Sequence, residues 1–337
     1  MKKFILCSLI IIFMNVNIGN SKTIDPSYEV GTWPGFRKAA ISYTFDDGNS
    51  NQFAVALPMF DKFGFKMTLF TVIDWVSGNW PILKAAAYNG HEVASHTVTH
   101  PYMDKLDKEK QEIELRKSLE AIDANIPKSK CMTIAYPYCK PCDETLCKKY
   151  YIAARHCQGD IEKSTPKDFM NISSIICGSE GPLKYIDNFK AKFEETASSN
   201  GWCVLLFHGI DDDGGYSPIP KSELKASLEY LKANKDKYWV ETFLNVVKYI
   251  RERDDVSIKE LSDKDNCITI QVTDTLDDKI YNYPITIRRP LPENWISANV
   301  LQNKKAIDTN IVEVNSVKYI SFDAVPDGGD VVISKAD

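Results

Sequence analysis

Short apolar runs alternate with amphipathic stretches along residues 39–253 of the chain. The run at residues 39–43 predicts a buried strand, and directly after it apolar residues recur at helical spacing, at Phe53, Ala56, Leu57 and Phe60. The same alternation predicts further strands at 67–72, 91–95, 132–136, 151–155, 171–177, 202–207 and 239–242. It predicts further helices at 81–89, 108–125, 145–150, 189–198, 222–233 and 243–253. About seven such strand–helix units predict an α/β fold in which a parallel sheet forms a distorted (β/α) barrel.

The pattern changes at the polar stretch 262–266, after which no helical period remains. Half-buried strands separated by turn residues are predicted at 268–272, 285–287, 296–300, 319–322 and 331–333. The sequence therefore predicts a barrel domain over 22–261 and a small all-β, sandwich-like domain over 262–337. This second domain is either a carbohydrate-binding module that uses Trp295 or Tyr281, or a structural appendage, since isolated aromatic residues in β-domains mostly lie in the core.

Composition limits the class of protein. The chain has 337 residues, 44% of them hydrophobic, and a net charge of -5, which indicates an ordinary globular protein. No basic stripe with interleaved aromatic residues is present, so nucleic acid is not expected as a partner. Two lysines, a short apolar run and small residues predict a signal peptide over 1–21, cleaved before Lys22, and hence an exported protein. That apolar run is shorter than the about 20 residues of a membrane span, and no other stretch predicts a transmembrane anchor.

Nine cysteines are present, and one of them, Cys7, lies in the predicted signal peptide. An even number in an exported chain favours disulfides. Four cluster at Cys139, Cys142, Cys147 and Cys157. The alternative is a structural zinc site, because Cys139 and Cys142 have ligand-like spacing, but a second Cys-x-x-Cys pair is missing.

Two carboxylates end the first strand of the predicted barrel, within the stretch Thr44-Phe45-Asp46-Asp47-Gly48. The carboxyl edge of a parallel sheet is where ligands and catalysis collect. Consecutive strand residues point in diverging directions, so one carboxylate could bind a metal while the other accepts a proton. By itself, Asp-Asp-Gly is also the composition of a solvated turn.

Two imidazoles lie four residues apart after another predicted strand, in His96-Thr97-Val98-Thr99-His100. Two imidazoles and one carboxylate form a three-ligand site for a divalent transition metal with an open position. Asp47 is the candidate carboxylate. We expect zinc, with cobalt, nickel or manganese as alternatives.

Together with Leu205-Leu206-Phe207-His208, these two motifs resemble in order and spacing the successive motifs of the NodB-homology polysaccharide deacetylases, the carbohydrate esterase family 4 type. The resemblance covers about residues 37–255. It implies a distorted (β/α) barrel, with Asp47, His96 and His100 as metal ligands, Asp46 as catalytic base and His208 as catalytic acid.

The chain departs from this family twice. Residues 135–138 read Ala-Tyr-Pro-Tyr where the family has Arg-x-Pro-Tyr, and no Asp-x-x-Asp-Trp segment follows Arg155. Tyr138, whose backbone N–H could hold an oxyanion, and Arg155 are the candidate residues on the substrate side. If the strands that carry Ala135 and Arg155 are neighbours, Arg155 could supply beside Asp46 the cation that Ala135 cannot.

We therefore expect a secreted, metal-dependent hydrolase that removes acetyl groups from a glycan, with N-acetyl groups of an aminosugar favoured. An O-acetyl esterase of the acetylxylan type could use the same site. A glycan-binding protein with an inactive barrel is the alternative from another class, suggested by the two departures.

Overall fold

The computed structural model describes residues 22–76, 78–264 and 266–336, and the predicted signal peptide lies outside these ranges. The strands are β1 (Glu29–Val30), β2 (Ala39–Asp47), β3 (Thr68–Thr71), β4 (Glu92–Ser95), β5 (Thr133–Ala135), β6 (Ala153–Arg155), β7 (Ile175–Ile176), β8 (Trp202–Phe207), β9 (Tyr238–Val240), β10 (Ser257–Lys264), β11 (Cys267–Thr273), β12 (Ile285–Pro290), β13 (Ala298–Gln302), β14 (Lys305–Ile307), β15 (Thr309–Val314), β16 (Val317–Ala324) and β17 (Val331–Lys335). The α-helices are α1 (Leu57–Phe63), α2 (Trp80–Tyr88), α3 (Lys108–Asn125), α4 (Glu144–Cys147), α5 (Ile186–Ser198), α6 (Lys221–Ala233) and α7 (Phe243–Asp255).

A curled parallel sheet forms the first part of the molecule. Its strand order is β6-β5-β4-β3-β2-β8-β7, and β9 also pairs with β2. An α-helix follows each of these strands except β6, close to the alternation that the apolar periodicity predicts, and the distorted (β/α) barrel is confirmed. Because the strands run parallel, their carboxyl ends meet at one edge of the sheet.

Strand β2 lies in the middle of this sheet and all its residues except Asp47 are buried. Aromatic rings pack along it: Phe45 stacks on Phe207 of β8 with ring centroids 5.0 Å apart, and Phe60 of α1 meets Phe45 edge to face at 5.9 Å. This packing holds the end of β2, and with it the two acids, in a defined position.

Two antiparallel sheets follow toward the carboxyl terminus and confirm the additional all-β region. Their strand orders are β10-β11-β17-β13-β14 and β1-β12-β16-β15. Apolar residues of both sheets, such as Ile270 and Phe322, share one core with Val246 and Ile250 of α7. Trp295 is only 6% exposed within this core, so its ring is not available to a sugar.

The strands that the sequence pattern did not predict are β1, β10, β14 and β15. Strand β10 is mostly exposed beyond Ile258, and β15 has no buried residue, so neither shows an apolar alternation. Both are held by pairing with a neighbour, β10 with β11 and β15 with β16. Strand β10 also crosses the boundary placed at residue 261, so the domain limits remain a prediction.

Within the described ranges, every helix is too short or too polar to cross a membrane.

Candidate active site

The turn after β2 presents the two acids at the edge of the sheet. Asp46 is 2% exposed, whereas Asp47 adopts a left-handed backbone with φ 78°. Gly48 follows with φ 89°, and a Cβ at this position would collide with Val76. The Gln52 amide donates to the carbonyl of Asp46 and, at 2.9 Å, to that of His208. Gln52, which the motif analysis did not single out, therefore ties together the ends of β2 and β8.

His96, His100 and Asp47 converge on one point. The distance from Asp47 Oδ1 to Nε2 is 3.6 Å for each histidine, and the two Nε2 atoms are 3.2 Å apart. A triangle with these sides has its centre about 2.0 Å from each corner, which is the bond length of zinc to imidazole nitrogen and carboxylate oxygen. Asp47 Oδ1 is buried without a hydrogen-bond partner, as expected for an atom that serves a cation. These residues therefore fit a divalent metal, and they are the three predicted ligands.

The neighbouring contacts prepare the histidines for this role. His96 Nδ1 lies 2.8 Å from the carbonyl oxygen of Ala135, so it carries the proton and Nε2 keeps its lone pair. Burial lowers the pKa of His96 to about 3, which keeps the ring neutral. Burial, together with the charge of Asp46, raises the pKa of Asp47 to about 7 in the absence of a cation.

The loop that carries the two histidines is held by Glu114 of α3. Its Oε2 accepts from the backbone N–H of Val98 at 2.7 Å and of Thr99 at 3.0 Å, and its Oε1 accepts from the Thr99 hydroxyl at 2.8 Å. The loop needs this support because Thr97 and His100 both have positive φ, 68° and 59°. The motif analysis missed Glu114, which lies in a charged helix and carries no local signal.

Arg155 lies against Asp46. Its Nη2 forms an ion pair with Asp46 Oδ2, its Nη1 donates to Ser174 Oγ at 3.0 Å, and it is 2% exposed. Strands β5 and β6 pair in a register that sets Arg155 beside Ala135, which is the exchange inferred from the missing family arginine. Burial works to raise the pKa of Asp46, but the charges of Arg155, His96 and His208 outweigh it and lower the pKa. Arg155 is buried against Asp46 and is not among the described residues that line the pocket.

His208 directly follows β8, the strand that pairs with β2 and its Asp46. Its Nε2 lies 3.9 Å from Asp46 Oδ2, and its ring meets Tyr216 edge to face at a centroid distance of 5.0 Å. Its Nδ1 is buried with no hydrogen-bond partner among the described residues, so no carboxylate in those ranges orients the ring. Burial lowers the pKa of His208, and the charge of Asp46 opposes this.

These groups line a pocket of about 490 Å³. Its rim carries Trp75, Tyr138 and Tyr216, each roughly half exposed. Tyr138 has φ 53°, stacks on Tyr102 with centroids 3.9 Å apart and meets His100 at 4.5 Å. The pocket thus combines buried charge at its floor with aromatic surface at its mouth.

A disulfide joins Cys139, beside Tyr138, to Cys157, two residues after Arg155. Cys142 and Cys147 are free thiols in contact with each other, and Cys131, Cys177, Cys203 and Cys267 are also free. Only one of the expected disulfides is therefore present in the described ranges. That pair removes two of the four cysteines of the alternative zinc site.

Comparison with known proteins agrees with this geometry. Residues 35–151 match the family described as polysaccharide deacetylase, which confirms the resemblance seen in the motifs. The chain is 27% identical over 330 residues to a gellan lyase of a Bacillus species, a match that covers 90% of the chain and 13% of that protein. It is 29% identical over 110 residues to a polysaccharide deacetylase candidate of Bacillus subtilis (strain 168), covering 32% and 39% of the two chains.

The chain thus spans about an eighth of the first relative and two fifths of the second. A crystal structure of a polysaccharide deacetylase candidate from Mycobacterium smegmatis has 16% sequence identity and a TM-score of 0.52. The superposition covers 73% of this chain and all of that one, and it supports the same fold.

Proposed function

Since residues 35–151 match the polysaccharide deacetylase family, we propose that this protein is a metal-dependent hydrolase that removes acetyl groups from a glycan. N-acetyl groups of an aminosugar are the favoured target. The observation that carries the proposal is the joint placement of the Asp47–His96–His100 donor set, the Arg155-held carboxylate of Asp46 and His208 around one pocket.

Asp47, His96 and His100 would hold the metal. Zinc suits a set of two imidazole nitrogens and one carboxylate oxygen, and cobalt, nickel and manganese accept the same donors. When bound, such a cation polarises an acetyl carbonyl and lowers the pKa of water.

Asp46 acts as the general base. Arg155 holds its Oδ2, while Oδ1 is buried and has no hydrogen-bond partner, which leaves a lone pair for a proton. The arginine also lowers the pKa of the carboxyl group, so Asp46 stays ionised and able to accept this proton near neutral pH. Asp46 takes a proton from the attacking water while the oxygen of that water bonds to the amide carbon.

His208 acts as the general acid. The bond between the carbonyl carbon and the sugar nitrogen breaks, acetate leaves, and the nitrogen takes a proton from His208 in its imidazolium form. His208 and Asp46 flank the pocket from β8 and β2, so the base and the acid can reach opposite parts of one amide group. The backbone N–H of Tyr138 is the candidate donor to the oxyanion.

The aromatic rim supports a sugar as the substrate. Trp75, Tyr138 and Tyr216 expose ring surface around the pocket, and such rings pack well against the apolar faces of pyranose units. The name of the Bacillus relative, gellan lyase, also refers to a polysaccharide. We further propose that the protein acts after export, with residues 1–21 removed.

Acetate release from the purified protein tests the proposal. Metal-loaded protein should release acetate from N-acetylglucosamine oligosaccharides, lose this activity with a chelator and regain it with zinc. Release only from O-acetylated xylan oligosaccharides would instead favour the esterase. No release from either class by protein with a full metal complement, together with binding to one of them, would favour the binding protein.

A further inference from the structure

Three carboxylates far from the active site meet at the carboxyl-terminal sheets. Asp274 and Asp278 lie in the loop between β11 and β12, and Asp327 lies in the loop between β16 and β17. One oxygen from each lies within 4.8 Å of the others. The three acids are separated by up to 53 residues in sequence, so the fold and not a local motif brings them together.

The hydrogen bonds that the described residues donate to this group come from backbone N–H groups. Asp274 Oδ1 accepts from the N–H of Leu276 at 2.7 Å, and Asp327 Oδ2 accepts from the N–H of Asp274 at 3.0 Å. No lysine or arginine of the described ranges forms an ion pair with the three acids, and no described donor contacts the Asp278 carboxylate. Three like charges at this spacing repel one another unless a cation lies among them.

A fourth carboxylate points at this group from the barrel. Glu252 of α7 is fully buried, and it faces Asp274. Its Oε1 accepts from the N–H of Tyr283 at 2.9 Å, whereas its Oε2 meets no N–H or hydroxyl donor among the described residues and the carboxyl group contacts that of Asp274. Lys248, which acts on Glu252 electrostatically, makes no ion pair with it within 4.0 Å. Two carboxyl groups that meet in a buried position need a proton or a cation between them.

We propose that Asp274, Asp278 and Asp327 bind a calcium ion, with Glu252 supporting Asp274 from behind. Calcium takes oxygen ligands at about 2.4 Å, so ligands on opposite sides of the ion are about 4.8 Å apart, as the three oxygens allow. Neither His nor Cys belongs to the group, which sets it apart from the transition-metal chemistry proposed at His96. Backbone carbonyls and water complete such a shell.

The position of the ion gives it a structural role. It would link the last helix of the barrel, through Glu252, to two loops of the β-region. Because a ligand that binds only the folded state stabilises it, calcium should make this junction harder to open.

Calorimetric titration of the full-length protein with calcium chloride tests the site. The catalytic centre is filled beforehand with its metal, and the variants are Asp278→Asn and Asp327→Asn. Asp308→Asn, an exposed acid in the same region, is the control. We expect one calcium per chain, at least a tenfold lower affinity in the two site variants, and an unchanged affinity in the control.

Thermal unfolding gives a second readout. Calcium at about 10 mM, above the roughly 10⁻⁴–10⁻³ M dissociation constants of extracellular calcium modules, should raise the melting temperature by about 5 °C. The site variants should lose this shift but keep wild-type acetate release. Equal calcium affinity in all three variants, an equal shift with magnesium, or no calcium binding at all would overturn the proposal. None of these outcomes bears on the deacetylase proposal.

Discussion

Arg155 and Asp46 form a buried ion pair across the sheet, although 109 residues separate them. The paired register of β5 and β6 places the arginine beside Ala135, the position at which the family carries its own arginine. The guanidinium therefore reaches the base from β6, the strand that pairs with the one carrying Ala135.

Replacing Arg155 by Ala should shift the acidic limb of the pH–rate profile to higher pH. Arg155 holds the pKa of Asp46 down, so its loss raises that pKa, and Asp46 keeps its proton until a higher pH is reached. Turnover at neutral pH should fall as well. Measurement of kcat/KM against pH checks this, with Arg116→Ala, a change in a partly exposed arginine on α3, as the control. An acidic limb at the wild-type position in a folded Arg155→Ala protein would contradict this role.

Replacing His96 or His100 by Ala should lower bound metal and activity together, because each removes one of three ligands. Elemental analysis after dialysis against a metal buffer measures the metal. His156→Ala, a change in a histidine outside the donor set, should leave the metal content unchanged. Wild-type metal content in both ligand variants would show that the metal is held elsewhere.

Replacing Asp46 by Asn should separate metal binding from turnover. Asn keeps the shape of the side chain but accepts no proton, so the metal should stay while the rate falls about 100-fold or more. Asp47→Asn, the matched change at the neighbouring residue, should lose metal and rate together. Near-normal turnover in the Asp46 variant would remove it from the mechanism.

Replacing Glu114 by Ala should weaken the metal site without touching a ligand. The change removes the three hydrogen bonds that hold the loop between His96 and His100, and contacts of this kind alter metal affinity about 10- to 100-fold. Competition with a chromogenic chelator measures the affinity. Glu120→Ala, an exposed acid of the same helix, is the control, and equal affinity in the two variants would contradict the role of Glu114.

Replacing Cys139 and Cys157 by Ser should destabilise the fold by about 3 kcal/mol, the value expected for a disulfide that closes a loop of this length. Urea unfolding measures the loss, and Cys267→Ser, a change in a free cysteine, is the control. If the double variant unfolds at the same urea concentration as the control, the disulfide does not stabilise the protein.

Local spacing in the sequence determined the barrel and its metal-binding candidates. One predicted strand ends in Asp46-Asp47, and another is followed by His96 and His100. Both must place these side chains at the carboxyl edge of a parallel sheet, because strand direction and side-chain alternation follow from the backbone. The sequence also predicted strands of the all-β region that alternate between more and less buried residues, such as β11. It did not predict the largely exposed β15.

Tertiary structure decided which distant residues meet. The pairing of β5 with β6 sets Arg155 beside Ala135, from where it reaches Asp46. Helix α3 brings Glu114 to the histidine loop, and the β-region gathers Asp274 with Asp327. A lone arginine, glutamate or aspartate carries no periodic signal, since its partner depends on strand order and helix packing and not on chain neighbours. These contacts arise from how the apolar faces pack, and packing brings together residues whose separation in sequence says nothing about their distance in space.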